Sequence, residues 1–507
     1  MTAPHKPAGA PSAVINGHDA RSAAEPRTLT NYIGGKWVAS DAKRFAEVHN
    51  PATAQLIART PLGGAADVDR AVKAAMKAYP AWRQTPPVNR VKPLFKLKYL
   101  LEEDFDDLAR VVTLEHGKTL DESRSSVRRA IDNVDLAIGT PDRMQGTALE
   151  DIASGIDCHT VRQPLGVFAA ITPFNFPLMV PMWFLPHAVA CGNTFIVKPS
   201  ERVPLSQMRM FELMHEAGFP EGVINLVHGG KEAVDAILDH PEIAGVSFVG
   251  SSPVARHVYS RAAASGKRVQ ALGGAKNFVV VMPDADIPRA AQVSTESCFG
   301  CAGERCLANS VVLGVGEAYD KIRDKLVEEA KGIKVGDGLE SDVTMGPLIT
   351  RQHREKVLGY IEKGIAEGAK LLLDGRGFKD PKHPDGYFLG PTILADAKPE
   401  MVIAQEEIFG PVLVLMKAKD FDEAVSIVRR HELGNATSIF TSSGKYAREY
   451  RYRVEPSMLG VNIGVAAPMA FFPFGGAKGS FFGDLKAHGR DAVEFYTDKK
   501  VVITRWF

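Results

Sequence analysis

An alternation that begins near Leu165 constrains the fold more than any other feature. Short apolar runs recur there, spaced so that a helix fits between them. "LGVFAAIT", "NTFIVKPS", "GVINLVHG", "IAGVSFVG" and "KNFVVVM" read as buried strands, and "PLSQMRMFELMHEAG" and "SPVARHVYSRAAAS" read as intervening helices. Strands apolar on both faces and separated by helices predict a parallel sheet covered on both sides, joined by right-handed crossovers. A second alternation follows Cys306. It runs from strand "SVVLGVG" through helices "YDKIRDKLVEEAKGI" and "RQHREKVLGYIEKGIAEG" to strand "AKLLLDG". Strands "PVLVLMKA" and "TSIFTSS" then flank helix "FDEAVSIVRRH". A chain of 507 residues exceeds what one core organises, so two α/β lobes are expected, with Cys306 where the second begins. The ending "EFYTDKKVVITRWF" is β-branched and aromatic and predicts a terminal strand. It pairs either with another copy of the chain or within its own domain.

Composition narrows the function. A net charge of +1 with mixed signs gives no field to recruit nucleic acid or an anionic membrane. The most apolar stretch, 174–190, is broken by Pro177, Pro181 and Pro186 and is too short to span a bilayer. Residues 1–28 lack an apolar core run, so a tail is expected rather than a secretory signal, and Asp19 and Glu25 argue against a transit peptide. Five cysteines, an odd and sparse set, point to a reducing compartment rather than a disulfide framework. Cys298 and Cys301 have no second ligand pair, so no metal site is expected.

Several stretches admit a chemical reading beside a plain one. In "FVGSSPVA", Gly250 and Ser251 open a helix whose N–H groups suit a phosphate, or they form an ordinary strand-to-helix turn. In "VKPSE", Lys198 ends a strand and Glu201 follows; they bond ribose hydroxyls or make a solvated ion pair. Asn175 in "ITPFNFP" donates to an oxyanion or bonds its own turn. In "CFGCAGERCLAN", Cys306 is a nucleophile or a small core residue. Gly303 permits an unusual backbone before it, and Arg305 places a cation beside it that favours thiolate. Cys298 and Cys301 lack such a neighbour and read as core. "EEIFGPV" is a turn with an acidic shoulder.

Taken in order, "TPFNFP", "KPSE", "FVGSS", "GGAKN", "GERC" and "EEIFGPV" resemble the aldehyde dehydrogenase superfamily, from about "NYIGGKWV" to the C-terminus. The resemblance implies an α/β fold with a Rossmann-like NAD-binding domain over 29–148 and 164–276 and a catalytic domain over 277–483. It also implies a small β oligomerisation element from 149–163 and 484–507. It makes Cys306 the nucleophile, which forms a thiohemiacetal and then a thioester. Asn175 and the Cys306 N–H stabilise the oxyanion. Lys198 and Glu201 hold the adenosine ribose, and Glu201 would repel a 2′-phosphate, which favours NAD over NADP. Thr172, Phe174, Gly250 and Ser251 fall on the cofactor path, and Glu407 and Phe409 at its nicotinamide half.

Typical members carry their hydrolytic base in the segment E-L-G-G-K, whereas this chain reads "QALGGAKN", with Ala271 or Leu272 at the base position. Neither takes a proton from water. "GGAKN", "CGNTFIVKPSERVP" and "AGERC" together resemble the methylmalonate-semialdehyde dehydrogenase subfamily. That implies coenzyme A as acyl acceptor, malonate or methylmalonate semialdehyde as substrate, and loss of carbon dioxide before transfer. The resemblance assigns the substrate carboxylate to Arg305 and to Arg129 in "SSVRRAIDN", with Arg128 as the alternative to Arg129. A hydrolytic aldehyde dehydrogenase and an inactive NAD-binding relative are the competing readings. A cytoplasmic homo-oligomer, dimer or tetramer, completes the expectation.

Overall fold

The computed structural model describes residues 26–507. Most of the expected tail lies outside them, but its end does not: Arg27–Thr28 pairs in parallel with Leu56–Pro61 and belongs to the fold.

The first lobe is built on an eight-stranded sheet. Its parallel centre runs in the order Arg268–Leu272, Ile243–Val249, Val167–Ile171, Thr194–Lys198, Ile224–Leu226. Every residue of Val167–Ile171 and Thr194–Lys198 is buried, as expected of strands covered on both faces. From Val167–Ile171 the chain moves outward to Ile224–Leu226, then returns to place Ile243–Val249 on the other side. The order reverses between Val167–Ile171 and Ile243–Val249, and such sheets bind ligands in the crevice beyond their carboxyl ends at that point.

The second sheet has seven strands, in the order Lys370–Leu373, Thr392–Ala395, Val412–Ala418, Asn309–Val315, Asn277–Val281, Ala436–Phe440, Met458–Val461. All pairings are parallel except that of Lys370–Leu373. This corrects the simple reading of the alternation. "KNFVVVM" does not extend the first sheet but sits at the centre of the second, which therefore begins at Asn277 and not after Cys306. An apolar strand buried on both faces looks the same in either sheet.

The C-terminal expectation divides in two. Gly489–Tyr496 is a helix, and its Phe495 and Tyr496 sit in the first lobe's core. Thr497–Arg505 is a strand, antiparallel to Ile156–Pro164 of its own chain in a three-stranded sheet with Ala148–Ala153. Leu149, Val501 and Ile503 of this sheet, and Trp506 just beyond it, remain exposed.

Candidate active site

The site lies between the carboxyl ends of the first sheet's strands and the amino ends of the second's. Thr172–Asn175, Lys198 and Gly250–Ser251 lie at the carboxyl ends of first-sheet strands. Cys306, Ala275–Lys276 and Phe409–Gly410 lie just before the second-sheet strands Asn309–Val315, Asn277–Val281 and Val412–Ala418. Between them is a cleft of about 1050 Å³. Its walls include Thr172, Phe174, Asn175, Lys198, Glu201, Gly250, Ser251, Cys306, Glu407 and Phe409. Ten residues singled out from the sequence thus share one cavity, whereas Arg305 and Arg129 line smaller cavities of their own.

The turn before the nucleophile is left-handed for three residues: Cys301 (φ 50), Ala302 (φ 52) and Gly303 (φ 74). Such φ values cost non-glycine residues roughly 1 kcal/mol each, so surrounding bonds must hold them. Gly303 is obligatory, because a Cβ there would stand 2.1 Å from the carbonyl oxygen of Gly410. Glu122 supplies the restraint, its Oε1 accepting the Cys301 N–H at 2.6 Å.

Cys306 is part-buried, with its carbonyl oxygen held by the side-chain amides of Asn277 (2.9 Å) and Asn435 (2.8 Å). Burial, and then the Glu407 carboxylate, push its thiol up to about 12, while the backbone N–H groups of Cys306 and Leu307 pull the other way. The expectation that Arg305 favours a thiolate at Cys306 is not met. The Arg305 guanidinium donates to Cys301 Sγ at 3.2 Å and to Glu122 at 2.8 Å. Cys301, read as plain core, is buried but has this cation against its sulfur; Cys298 is core as expected.

Asn175 is 5 % exposed, and its side-chain N–H₂ donates to the Glu304 carbonyl at 3.0 Å. One N–H is thereby anchored and the other is left for a ligand in the cleft. Lys118, buried and lying 3.8 Å over the Phe176 ring, donates to the Asn175 carbonyl at 2.5 Å and fixes the backbone. Lys118, Glu122, Asn277 and Asn435 escaped the sequence reading. Asn277 follows directly on "GGAK", which was the one available signal.

Lys198 donates to the Gly229 carbonyl at 2.7 Å and stands 3.6 Å from the Glu201 carboxylate. Burial lowers its pKa and Glu201 raises it. A cation and a carboxylate side by side at a strand end give the donor and acceptor that a ribose diol requires. Ser251 precedes helix Ser252–Ala264, whose first turn has no side-chain cap, so its N–H groups open on the cleft. On the far side, Phe409 is held at φ 59 by His353, which donates to its carbonyl at 2.7 Å, and its ring meets Phe174 edge-on at 5.8 Å. These groups fit a dinucleotide with its phosphates on the helix end and its nicotinamide toward Cys306.

Glu407 Oε1 accepts the Ala275 N–H at 2.7 Å. Burial raises its carboxyl to about 7 against the pull of that N–H, Lys276 and Lys356. Ala271 and Leu272, the residues at the base position, are buried within strand Arg268–Leu272 and absent from the cleft wall.

Arg128 and Arg129 have different surroundings. Arg128 makes a two-pronged contact with Glu102 and covers the Phe105 ring. Arg129 lines a small cavity with Trp183, Met469, Phe474 and His488.

Residues 37–502 match the Aldehyde dehydrogenase family. The chain is 50 % identical to malonate-semialdehyde dehydrogenase of Bacillus cereus (strain ATCC 10987 / NRS 248) over 483 residues, covering 95 % of this chain and 99 % of that one. Methylmalonate-semialdehyde dehydrogenase from Oceanimonas doudoroffii superposes with a TM-score of 0.93 at 44 % identity, covering 95 % and 98 % of the two chains. A Sinorhizobium meliloti 1021 protein solved with NAD superposes at 0.94 and 43 %, covering 95 % and 99 %. Matched in sequence over nearly all its length and in structure over both lobes, this chain belongs to the aldehyde dehydrogenase family.

Proposed function

We propose that the protein oxidises malonate semialdehyde or methylmalonate semialdehyde with NAD through a thioester on Cys306, and passes the decarboxylated acyl group to coenzyme A. The observation that carries this reading is the contrast within one cleft. Cys306 and Asn175 share the cleft wall, while Ala271 and Leu272, which align with the hydrolytic base, are aliphatic and buried in a strand behind it. The names of the relatives, malonate- and methylmalonate-semialdehyde dehydrogenase, supply the substrate class.

Cys306 Sγ attacks the aldehyde carbon, and the oxygen becomes an oxyanion facing the free Asn175 N–H and the Cys306 N–H. Donors aimed at that oxygen stabilise the tetrahedral species. Lys198 and Glu201 bind the adenosine ribose, the helix end at Ser251 takes the phosphates, and Glu407 and Phe409 hold the other half. Bound there, NAD supplies the hydride acceptor, and a thioester on Cys306 results. The substrate carboxylate then stands β to the thioester carbonyl. Its C–C bond breaks, carbon dioxide leaves, and the electron pair flows to the carbonyl oxygen at the same two donors. The α-carbon takes up a proton, and the thiol of coenzyme A displaces Cys306. Arg129 and Arg305 bind the substrate carboxylate, which requires Arg305 to turn from Glu122 and Cys301 and both arginines to reach the cleft from the smaller cavities they line.

Two further elements belong to the proposal. The exposed apolar face of Thr497–Arg505 and Ala148–Ala153 joins copies of the chain into a homo-oligomer. A thiol nucleophile calls for a reducing compartment, hence the cytoplasm. Among the described residues, no helix is long and apolar enough to cross a membrane.

The test follows NADH absorbance with either semialdehyde and NAD, with and without coenzyme A. Turnover only with coenzyme A, and a stoichiometric burst without it, supports the reading. Steady turnover without it makes the protein hydrolytic. NADH formation from simple aliphatic aldehydes alone removes Arg129 and Arg305 as carboxylate ligands. Silence with every aldehyde leaves a binding protein.

A further inference from the structure

Acyl transfer needs a proton acceptor for the incoming thiol, and the usual base position is empty of one. The cleft wall contains three carboxylates: Glu201, Asp235 and Glu407. Glu201 is committed to Lys198, and Asp235 is paired with Lys231 and contacted by Arg261 and His257 at the outer rim. Glu407 remains, on the same cleft wall as Cys306, where its charge acts on the thiol.

The turn at 273–276 is shaped around this carboxylate. "GGAK" has one residue more between its glycine pair and its lysine than G-G-K. That residue, Ala275, turns its N–H onto Glu407 Oε1 at 2.7 Å. Gly274 makes room for the other oxygen, since a Cβ at 274 would lie 2.4 Å from Glu407 Oε2. Lys276 is drawn under the site, 2 % exposed, with its ammonium on the Glu406 carbonyl at 2.9 Å. The loop that carries the base in E-L-G-G-K relatives here serves as a holder for a carboxylate from the other lobe.

We infer that Glu407 is the general base of acyl transfer, taking the proton of the coenzyme A thiol as its sulfur attacks the acyl-Cys306 carbonyl, and returning it to Cys306. The reading rests on coenzyme A being the acceptor, as proposed above. The step balances within the site. The S–H bond of coenzyme A breaks and its proton moves to the Glu407 carboxylate. A C–S bond forms, and the tetrahedral oxyanion stands at Asn175. The C–Sγ bond of Cys306 breaks, and Glu407 hands the proton to the leaving thiolate, so that thiol and carboxylate are both restored. Because Glu407 also faces the nicotinamide half of the cofactor, it is free to act only once the reduced cofactor has left.

The charged groups around Glu407 agree with a base working near neutrality. Lys276 from the turn and Lys356 from helix Arg351–Ala366 favour its anion, and Cys306 and Tyr360 face it as acids. Burial outweighs the cations and brings the carboxyl to about 7. An acid of that strength takes a thiol proton and gives it back without a large barrier in either direction.

The test avoids the cofactor. Cys306 is acetylated with p-nitrophenyl acetate, excess ester is removed, coenzyme A is added, and acetyl-CoA is measured against pH, normalised to the acetylated cysteine counted by released nitrophenol. For the unaltered protein, the transfer rate rises through a pH of about 7. Glu407→Gln lowers it about 10²-fold and removes that rise, leaving only the limb of the thiol itself near ~8.5. Glu407→Asp restores part of the rate with a displaced inflection. Transfer by Glu407→Gln at the unaltered rate and pH profile overturns the assignment. Should Glu407→Gln and Glu407→Asp not fold, a profile of the unaltered protein that is flat through neutrality overturns it equally. If the unaltered acetyl-enzyme yields acetate and no acetyl-CoA, the coenzyme A reading itself has failed.

Discussion

The Glu122 carboxylate holds the Arg305 guanidinium at 2.8 Å, and the same oxygen accepts the N–H of Cys301. Its second oxygen accepts the Thr119 N–H at 3.0 Å, and the Glu122 N–H donates to Thr119 Oγ1, closing a capping box on helix Leu120–Ile138. One residue thus starts the helix that carries Arg129 and pins the left-handed turn before Cys306. It also orients the second arginine assigned to the substrate.

Replacing Glu122 by alanine removes the three contacts of its carboxylate at once and leaves only its backbone N–H on Thr119 Oγ1. It leaves the largely buried Arg305 cation without its carboxylate, which costs about 3 kcal/mol or more, and opens the Glu122 half of the capping box while the Thr119 cap remains. Glu122→Ala is expected to lower Tm and to slow the thiohemiacetal step. Glu122→Gln, which keeps an acceptor oxygen on the turn, falls between. Thermal unfolding and the NADH burst rate, measured on both variants, check this. A Glu122→Ala protein with unaltered Tm and burst would show that the turn is held elsewhere.

What was legible in the sequence follows a physical division. Cys306, Asn175, Lys198, Glu201 and Glu407 sit in short motifs at strand ends, and a strand end fixes where a side chain lies to within one residue. All of them reached one cleft. Lys118 and Glu122 act from helix ends distant in sequence, and no local pattern marks them. The direction of Arg305 was illegible for another reason: adjacency in sequence to Cys306 says nothing of which way a long side chain turns, and Glu122 and Cys301 draw it away. The sheet to which Asn277–Val281 belongs was hidden from the alternation, because apolar patterning records burial and not partners; only the resemblance, with its boundary at 277, set it in the second lobe.

Asn175 allows a clean separation of binding from stabilisation. Asn175→Ala deletes the amide but keeps the backbone carbonyl that Lys118 grips, so the turn stays anchored. Loss of one oxyanion donor costs about 10²–10³ in kcat. A fall of that size with KM nearly unmoved is expected in steady-state rates of NADH formation. A change confined to KM would make Asn175 a substrate-binding group instead.

In the proposed function, cofactor choice is assigned to Glu201. Its carboxylate lies 3.6 Å from Lys198 Nζ, where a ribose diol fits and a 2′-phosphate meets a second negative charge. Glu201→Ala is expected to raise the KM for NAD about 10-fold and to narrow the preference over NADP, because Lys198 remains to meet the phosphate. The ratio of kcat/KM for the two cofactors measures it, and an unchanged ratio would place the discrimination elsewhere.

His187 governs a part of the pH dependence of stability that is independent of catalysis. Its ring is fully buried in helix Leu185–Ala190, and neither nitrogen has a hydrogen-bond partner among the described residues. Burial lowers its pKa from 6.5 to about 3, with His488 and Arg143 adding to the effect. The unfolded chain therefore binds a proton that the folded one refuses. Stability from this residue is complete above pH 6.5 and drains away as pH falls toward 3. The loss amounts to roughly 5 kcal/mol across that window. His187→Leu removes the proton and two orphaned polar atoms together, so near neutrality it should be tolerated or mildly stabilising. Urea unfolding at stepped pH is the check: the variant should gain on the parent steadily below pH 6.5, releasing it from one proton of acid uptake. Parallel curves for the two proteins would mean that His187 finds a partner or water in solution and titrates normally.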